Sequence, residues 1–497
     1  MQVVLKLCYH ISVLLYRKAW THYEAMKYLN EMKGNNYMNF QSVVANVPDY
    51  KAFLTVDEMD ESCRKLANEF PDIVTVFEAG KSRKGHSILC LKVGDGPKNA
   101  LCFACPHPNE PIGAMTLEYF SRALAENDDL REGLGFTWYM IKCIDPDGVR
   151  LNENWFKGPF NVYTYTKNYY RPIGYEQVEW TFPIDYKELH FHNPLPETQA
   201  LMTLIQEIKP EFMYSLHNAG FGGAYWYITH DLPELYESLR DSAIKQGIPL
   251  NLGEPEEPFI TKFSPAIFKN MTIAEAYDFI EKFSGEKPNI KNGTSSSDYV
   301  SGVADCVTLL TELPYFFDSR IEDLCEGEIT RKEAILQNVK QSQAHFDRLD
   351  KMLTEVRPYI SEENPFVKLV EEVIQYIREG SEAKINWAES NPEFEKNASI
   401  AEIFDNLQAA KFYNGLYLGL TVRTCEYEIE RLRQQKNKEE IAMCKLLETC
   451  EKGEQFLKEY CENLDCELDY TAIPIQKLVR IQVESGLVVA NYIRENR

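Results

Sequence analysis

The stretch that decides the fold is "CFACPHPNEPIGAM", Cys102–Met115. It follows two β-rich runs, "SILCLKV" (87–93) and "ALCFAC" (100–105), and opens a helical pattern, "PIGAMTLEYFSRALAE" (111–126). A strand feeding a helix through a short polar loop is the unit of an α/β sheet. His107 and Glu110 stand three apart in that loop, among Pro106, Pro108, Asn109 and Pro111. Taken alone, the pair suits either a metal site at a strand end or a polar turn.

Outward from this loop the same alternation continues. "VTVFEAG" (74–80) and "FTWYMIKCI" (136–144) read as further strands. "PETQALMTLIQEI" (196–208) reads as a helix, and "EFMYSLHNA" (211–219), "AYWYITH" (224–230) and "CVTLLTELPYF" (306–316) as strands. Upstream, Thr55 precedes an acidic first turn and apolar residues at helical spacing that stop before Pro71, the signature of a capped helix. The expected fold class is therefore α/β with a mixed, mostly parallel sheet flanked by helices. After about Arg320 the β signal ends. "RKEAILQNVKQSQAHFDRLDKMLTEV" (331–356) and later segments are long amphipathic helices of mixed charge. Expected boundaries are a helical extension over 1–45, a catalytic domain over 46–360 and an all-helical region over 361–497.

Bulk properties narrow the function classes. The 497 residues carry a net charge of -23, with an isoelectric point near 5.0. No basic patch stands against that field, so nucleic acid is not an expected partner. No run reaches the roughly 18 apolar residues of a spanning helix, so no membrane partner is expected either. Thirteen cysteines, odd in number and scattered mostly through apolar or helical contexts, read as reduced thiols in a cytoplasmic protein. The apolar start, "MQVVLKLCYHISVLLYRKAW", is broken by Lys6 and His10 and has no small-residue cleavage pattern, which argues against an export signal.

A catalytic zinc takes three protein ligands and keeps a fourth position open. His107 and Glu110 supply two. His217, after the apolar strand of "YSLHNAGFGG", supplies a third from another strand end, where open α/β sheets collect ligands. A water activated by such a metal needs a base that does not bind it. Glu312 ends the buried-looking strand of "LLTELPYF", a costly place for a carboxylate without a purpose or a partner.

As an ordered set these segments resemble the zinc carboxypeptidase family, the carboxypeptidase A-like metallopeptidases. "HPNE" resembles its HxxE zinc motif. "IDPDGVRLNENW" (144–155) resembles its Asn-Pro-Asp-Gly segment with Asp145 in place of the Asn. "SLH" and "TELPYF" resemble its third-ligand strand and its glutamate strand, and Asp298-Tyr299 precedes Glu312 by 14 residues, as in that family. The resemblance covers roughly residues 48 to 350. It implies an eight-stranded sheet, one zinc ion held by His107, Glu110 and His217, and hydrolysis of a peptide substrate, of carboxypeptidase type, with Glu312 as general base.

The match departs at the substrate contacts. If Pro172 anchors "KNYYRP", Asn168 holds the Asn position of the family's carboxylate clamp, but Tyr169 replaces its Arg, leaving Arg171 as the substitute. Phe156 stands where the oxyanion arginine is expected, so Arg150 is the candidate for that catalytic role. Thr166 stands where an Asp usually orients a zinc-bound histidine. Ser297, before Asp298, is small and neutral and argues against a strongly basic or acidic terminal residue. A second reading is a deacylase, since "HPNEPIG" also resembles the zinc loop of the aspartoacylase and desuccinylase relatives, which act on N-acyl amino acids. A third is a non-catalytic binding protein on a peptidase fold, which the intact His107, Glu110, His217 and Glu312 oppose.

Overall fold

Thr55 starts helix α1 (Val56–Glu69) with a reciprocal cap: its hydroxyl accepts from the Glu58 amide while the Glu58 carboxylate accepts from the Thr55 amide. Met59, Cys63 and Leu66, on one helical face, are buried. The computed structural model describes residues 40–284, 287–435 and 439–497. Of the expected N-terminal extension, residues 1–39 lie outside the described residues. Val43–Arg497 forms one compact unit.

Among the described residues nine strands make the main sheet: β1 (Val74–Lys81), β2 (Ser87–Val93), β3 (Lys98–Ala104), β4 (Phe136–Ile141), β5 (Phe212–Leu216), β6 (Tyr225–Ile228), β7 (Lys262–Ser264), β8 (Ile267–Lys269) and β9 (Val307–Glu312). Their order is β1-β2-β4-β3-β5-β9-β6-β8-β7. The middle strands β4, β3, β5 and β9 are parallel to one another, and antiparallel pairs flank them. Taken through the pairings, β1, β3, β4, β5, β7 and β9 run one way and β2, β6 and β8 the other. The sheet is thus mixed and mainly parallel, as expected, with nine strands rather than eight. Strands as short as the three-residue β7 and β8 are too brief to show alternation in sequence.

Strands β3, β5 and β9 are covered on both faces, which explains their unbroken apolar character. On one face lies helix α2 (Ile112–Glu126). Its Gly113 permits close approach, since a Cβ there would sit 2.5 Å from the Leu216 Cβ and 2.8 Å from the Ala104 Cβ. The short helix α3 (Val162–Asn168) leads into the Arg171 segment. The C-terminal helices α4 (Arg331–Val356), α5 (Ala410–Gln434), α6 (Glu440–Glu467) and α7 (Ile475–Asn496) belong to the same compact unit.

Helix α7 lies against the sheet. Trp226 donates to Ser485 at 3.0 Å, Tyr214 donates to the Gln482 carbonyl at 3.0 Å, and the Gln482 amide donates to the His217 carbonyl at 2.9 Å. Helix α5 lies against α3, so closely that a Cβ on Gly419 would fall 2.0 Å from the Thr166 carbonyl oxygen. Arg423 of α5 donates to the carbonyls of Leu151, Asn168 and Tyr169 at 2.7–2.8 Å. The described cysteines form no disulfide.

Candidate metal centre and its cavity

The three parallel neighbours β3, β5 and β9 end side by side, and each delivers one part of the site. Beyond β3, Cys105 adopts φ 57°, a left-handed conformation that turns the chain out of the strand. The Glu110 amide then closes a tight turn on the His107 carbonyl at 3.1 Å. His217 directly follows β5, and Glu312 is the last residue of β9.

His107, Glu110 and His217 are 4%, 2% and 2% exposed, and each offers a ligand atom within 4.8 Å of the others'. His217 Nδ1 lies 3.1 Å from Glu110 Oε2 and 3.7 Å from Glu312 Oε1. Its other nitrogen, Nε2, is 2.8 Å from the Ser215 hydroxyl, which fixes the ring. His107 Nδ1 is buried and has no hydrogen-bond partner. Burial, then Arg171 and His217, hold its pKa well below the usual histidine value, so the ring is neutral as a metal ligand must be. An orphaned ring nitrogen beside a second ring nitrogen and a carboxylate is the donor set of a catalytic zinc, and the residues fit that ion.

Glu110 is anchored from outside. Its Oε1 accepts from Arg171 Nη1 at 3.1 Å and its Oε2 from the Asn218 amide at 3.2 Å. Arg171 Nε also donates to the Gln177 side-chain oxygen at 3.2 Å. Gln177 thus helps to hold Arg171 against Glu110. It sits in an irregular segment with no motif, so nothing in the sequence pointed to it. Burial opposes the charge on Arg171, but Glu110, Tyr169 and Glu312 outweigh it and raise its pKa further. Burial, then Glu110 and Glu256, push Glu312 well above the usual carboxylate range, with Arg171 opposing them.

These groups open into a cavity of about 510 Å³. Arg171 and Ser297 line it, as do Glu179, Asn270 and Tyr169. Three of the sequence candidates lie elsewhere. Arg150 caps a short helical turn at the surface and pairs with Asp57 at 2.6 Å, so the expected oxyanion arginine does not line the cavity. The Asn168 amide is spent on the Thr164 carbonyl at 2.9 Å. Asp298 accepts from the Thr294 hydroxyl at 2.6 Å, within the turn that starts its own short helix.

The opposite wall comes from the C-terminal helices, whose part sequence reading left blank. A five-residue π-type turn, Asp405–Ala409, precedes α5 and brings Asp405 and Asn406 to the cavity, together with Lys384 and Tyr413. Burial, then Glu254, push Asp405 up to about 7.

A buried His-Glu-His set at the carboxyl ends of adjacent parallel strands, with a carboxylate beside it, is the arrangement of a zinc site on an α/β sheet. A family profile described as zinc carboxypeptidase matches residues 59–247, a span that holds all three ligands and stops before Glu312. Zinc carboxypeptidase A 1 of Anopheles gambiae is 28% identical over 126 residues, 22% of this chain and 29% of that protein's length. Carboxypeptidase A from Helicoverpa armigera aligns at 18% identity and a TM-score of 0.34, over 56% of this chain and 69% of that one. A metallo-carboxypeptidase from Burkholderia cenocepacia aligns at 15% identity and a TM-score of 0.33, over 54% and 61%. Over residues 59–247 the chain is similar to the zinc carboxypeptidases, and His107, Glu110 and His217 form a triad typical of their zinc site.

Proposed function

We propose that the protein hydrolyses a peptide bond next to a free C-terminus, with Glu312 as general base. One observation carries this reading: the Glu312 carboxylate stands 3.7 Å from His217 Nδ1, ends a neighbouring strand and lines the cavity. Bound zinc would lower the pKa of a water molecule and polarise the scissile carbonyl. Glu312 takes a proton from water and delivers it to the leaving amine, and its raised pKa suits both halves of that transfer.

Arg171 takes the part expected of Arg150. Its Nε and Nη1 are committed to Gln177 and Glu110, which leaves Nη2 for the substrate. A guanidinium so fixed stabilises negative charge growing on the substrate oxygen without having to reorganise. Arg171 and Lys384 are the arginine and lysine of the cavity lining among the described residues, so a terminal carboxylate would find its counter-charge there.

A pair of blocked peptides, identical except for a free or an amidated C-terminus, tests the exopeptidase reading. The free acid should be cleaved about tenfold faster or more in kcat/KM, the value of one charge-assisted contact. Equal rates would make the enzyme an endopeptidase. Cleavage of N-acyl amino acids in preference to both peptides would make it a deacylase.

A further inference from the structure

Glu179 is 2% exposed and lines the cavity. Its Oε1 is satisfied by the amide of Ser296 at 3.0 Å and the hydroxyl of Ser296 at 2.8 Å. Its Oε2 is buried and has no partner. Asn270, 6% exposed and lining the same cavity, has no partner for either amide atom. A buried polar atom without a hydrogen bond costs on the order of 1–3 kcal/mol, more if charged. Two such side chains facing one cavity are poised for a ligand that brings hydrogen-bond donors.

The chemistry of that ligand follows from charge. Carboxylates of Glu110, Glu179, Glu254, Glu256, Glu312 and Asp405 line the cavity, against Arg171 and Lys384 among the described residues. Glu110 is paired with Arg171 and Glu254 with Arg331, and Glu312 and Asp405 are pushed above the usual carboxylate range. Glu179 and Glu256 remain against Lys384, and a concave wall concentrates their potential. Trp180, Met271 and Leu310 add apolar surface for an aliphatic stem. Ser297 is neutral, as its sequence shows, but the adjacent Ser296 holds the carboxyl group of Glu179, which the sequence pattern hides.

We propose that Glu179 and Asn270 are specificity-determining residues that select a substrate residue with a cationic side chain, an ammonium or a guanidinium. Glu179 Oε2 accepts from the cation and Asn270 Oδ1 takes a second N–H. The inference rests on the peptide-hydrolase reading above and names the substrate class of that site.

The test uses the zinc-loaded full chain and blocked peptides that differ only in a terminal Lys, Arg, norleucine or Gln. Calorimetric binding of free L-lysine, L-arginine and L-norleucine is measured on the same samples. The expected result is a kcat/KM for Lys or Arg roughly ten- to a hundredfold above norleucine, carried mainly in KM. That ratio should collapse toward one in Glu179→Gln and fall part of the way in Asn270→Leu. Which of Lys and Arg leads assigns the ammonium or the guanidinium. A wild-type preference for norleucine or Gln, or a ratio unchanged in Glu179→Gln, overturns the proposal while leaving the peptidase intact. Should both variants misfold, the wild-type ratio decides alone. Should no peptide be cleaved, the peptidase reading falls. The cationic pocket then stands if lysine or arginine binds at least tenfold tighter than norleucine, and falls if it does not.

Discussion

At the scale of single residues, the site is a matter of which atoms are left without partners. His107 Nδ1 is buried and unbonded, as suits a nitrogen that would hold an ion, while His217 Nε2 is fixed by Ser215 so that Nδ1 faces Glu110. Asp145 shows the same logic outside the cavity. It is fully buried, accepts from the Gly148 amide at 3.0 Å and meets Arg83 at 3.4 Å, yet its Oδ2 has no partner. Burial pushes its pKa from 3.8 up to about 6, against the pull of Arg83. Because the folded value is the higher one, the fold favours the protonated carboxyl. That contribution is complete below about pH 4 and is lost as the pH rises through 6. Asp145→Asn removes the titration. Its stability should therefore gain on the wild type between pH 4 and 7 by on the order of 3 kcal/mol, read as a rising difference in melting temperature. Parallel melting curves across that range would show that Asp145 keeps an ordinary pKa. The zinc ligands and Glu312 were legible in sequence because each follows or ends an apolar strand in a short motif. Gln177, Glu179 and Asn270 were not, because their burial depends on chain segments far away in sequence.

At the scale of elements, the adjacent carboxyl ends of β3, β5 and β9 bring together residues that lie up to 205 positions apart, from His107 to Glu312. Strand and helix types were readable from periodicity. What lies outside the sheet was less so: the two three-residue strands, the π-type turn at Asp405 and the supports that helices α5 and α7 provide. Arg150 shows why a motif position is not enough, since the helical turn Pro146–Val149 directs it to Asp57 at the surface. Gln482 of α7 is a support of this kind. It is fully buried, accepts from the Thr116 hydroxyl at 2.7 Å and donates to the His217 carbonyl at 2.9 Å. Gln482→Leu leaves both buried groups unpaired. The expected cost is about 2–4 kcal/mol, read as a lower denaturant midpoint with an unchanged slope, and zinc affinity should weaken about tenfold. Zinc affinity and midpoint both equal to wild type would show that α7 does not hold the ligand strand.

At the scale of the whole molecule, the helical C-terminal region is part of the site. Helices α5 and α7 grip the Arg171 segment and the His217 strand, and Asp405, Lys384 and Tyr413 wall the cavity. The β signal of the sequence ends near Arg320, and the helical segments that follow belong to the compact unit Val43–Arg497. A fragment of residues 46–360 would expose the sheet face that α7 covers and leave Tyr214 and Trp226 without their partners. It should show no cooperative unfolding and no retained zinc. A soluble fragment that melts cooperatively and holds one zinc would mean that the helical region is an accessory.

The central claim is that Glu312 works as the base beside the zinc held by His107, Glu110 and His217. The most direct measurement is turnover of a blocked peptide by zinc-loaded wild type and by Glu312→Gln, with zinc counted in both samples. The account predicts one zinc in each and a fall in kcat of about 10²- to 10⁴-fold in the variant. Equal turnover at equal zinc content would contradict it.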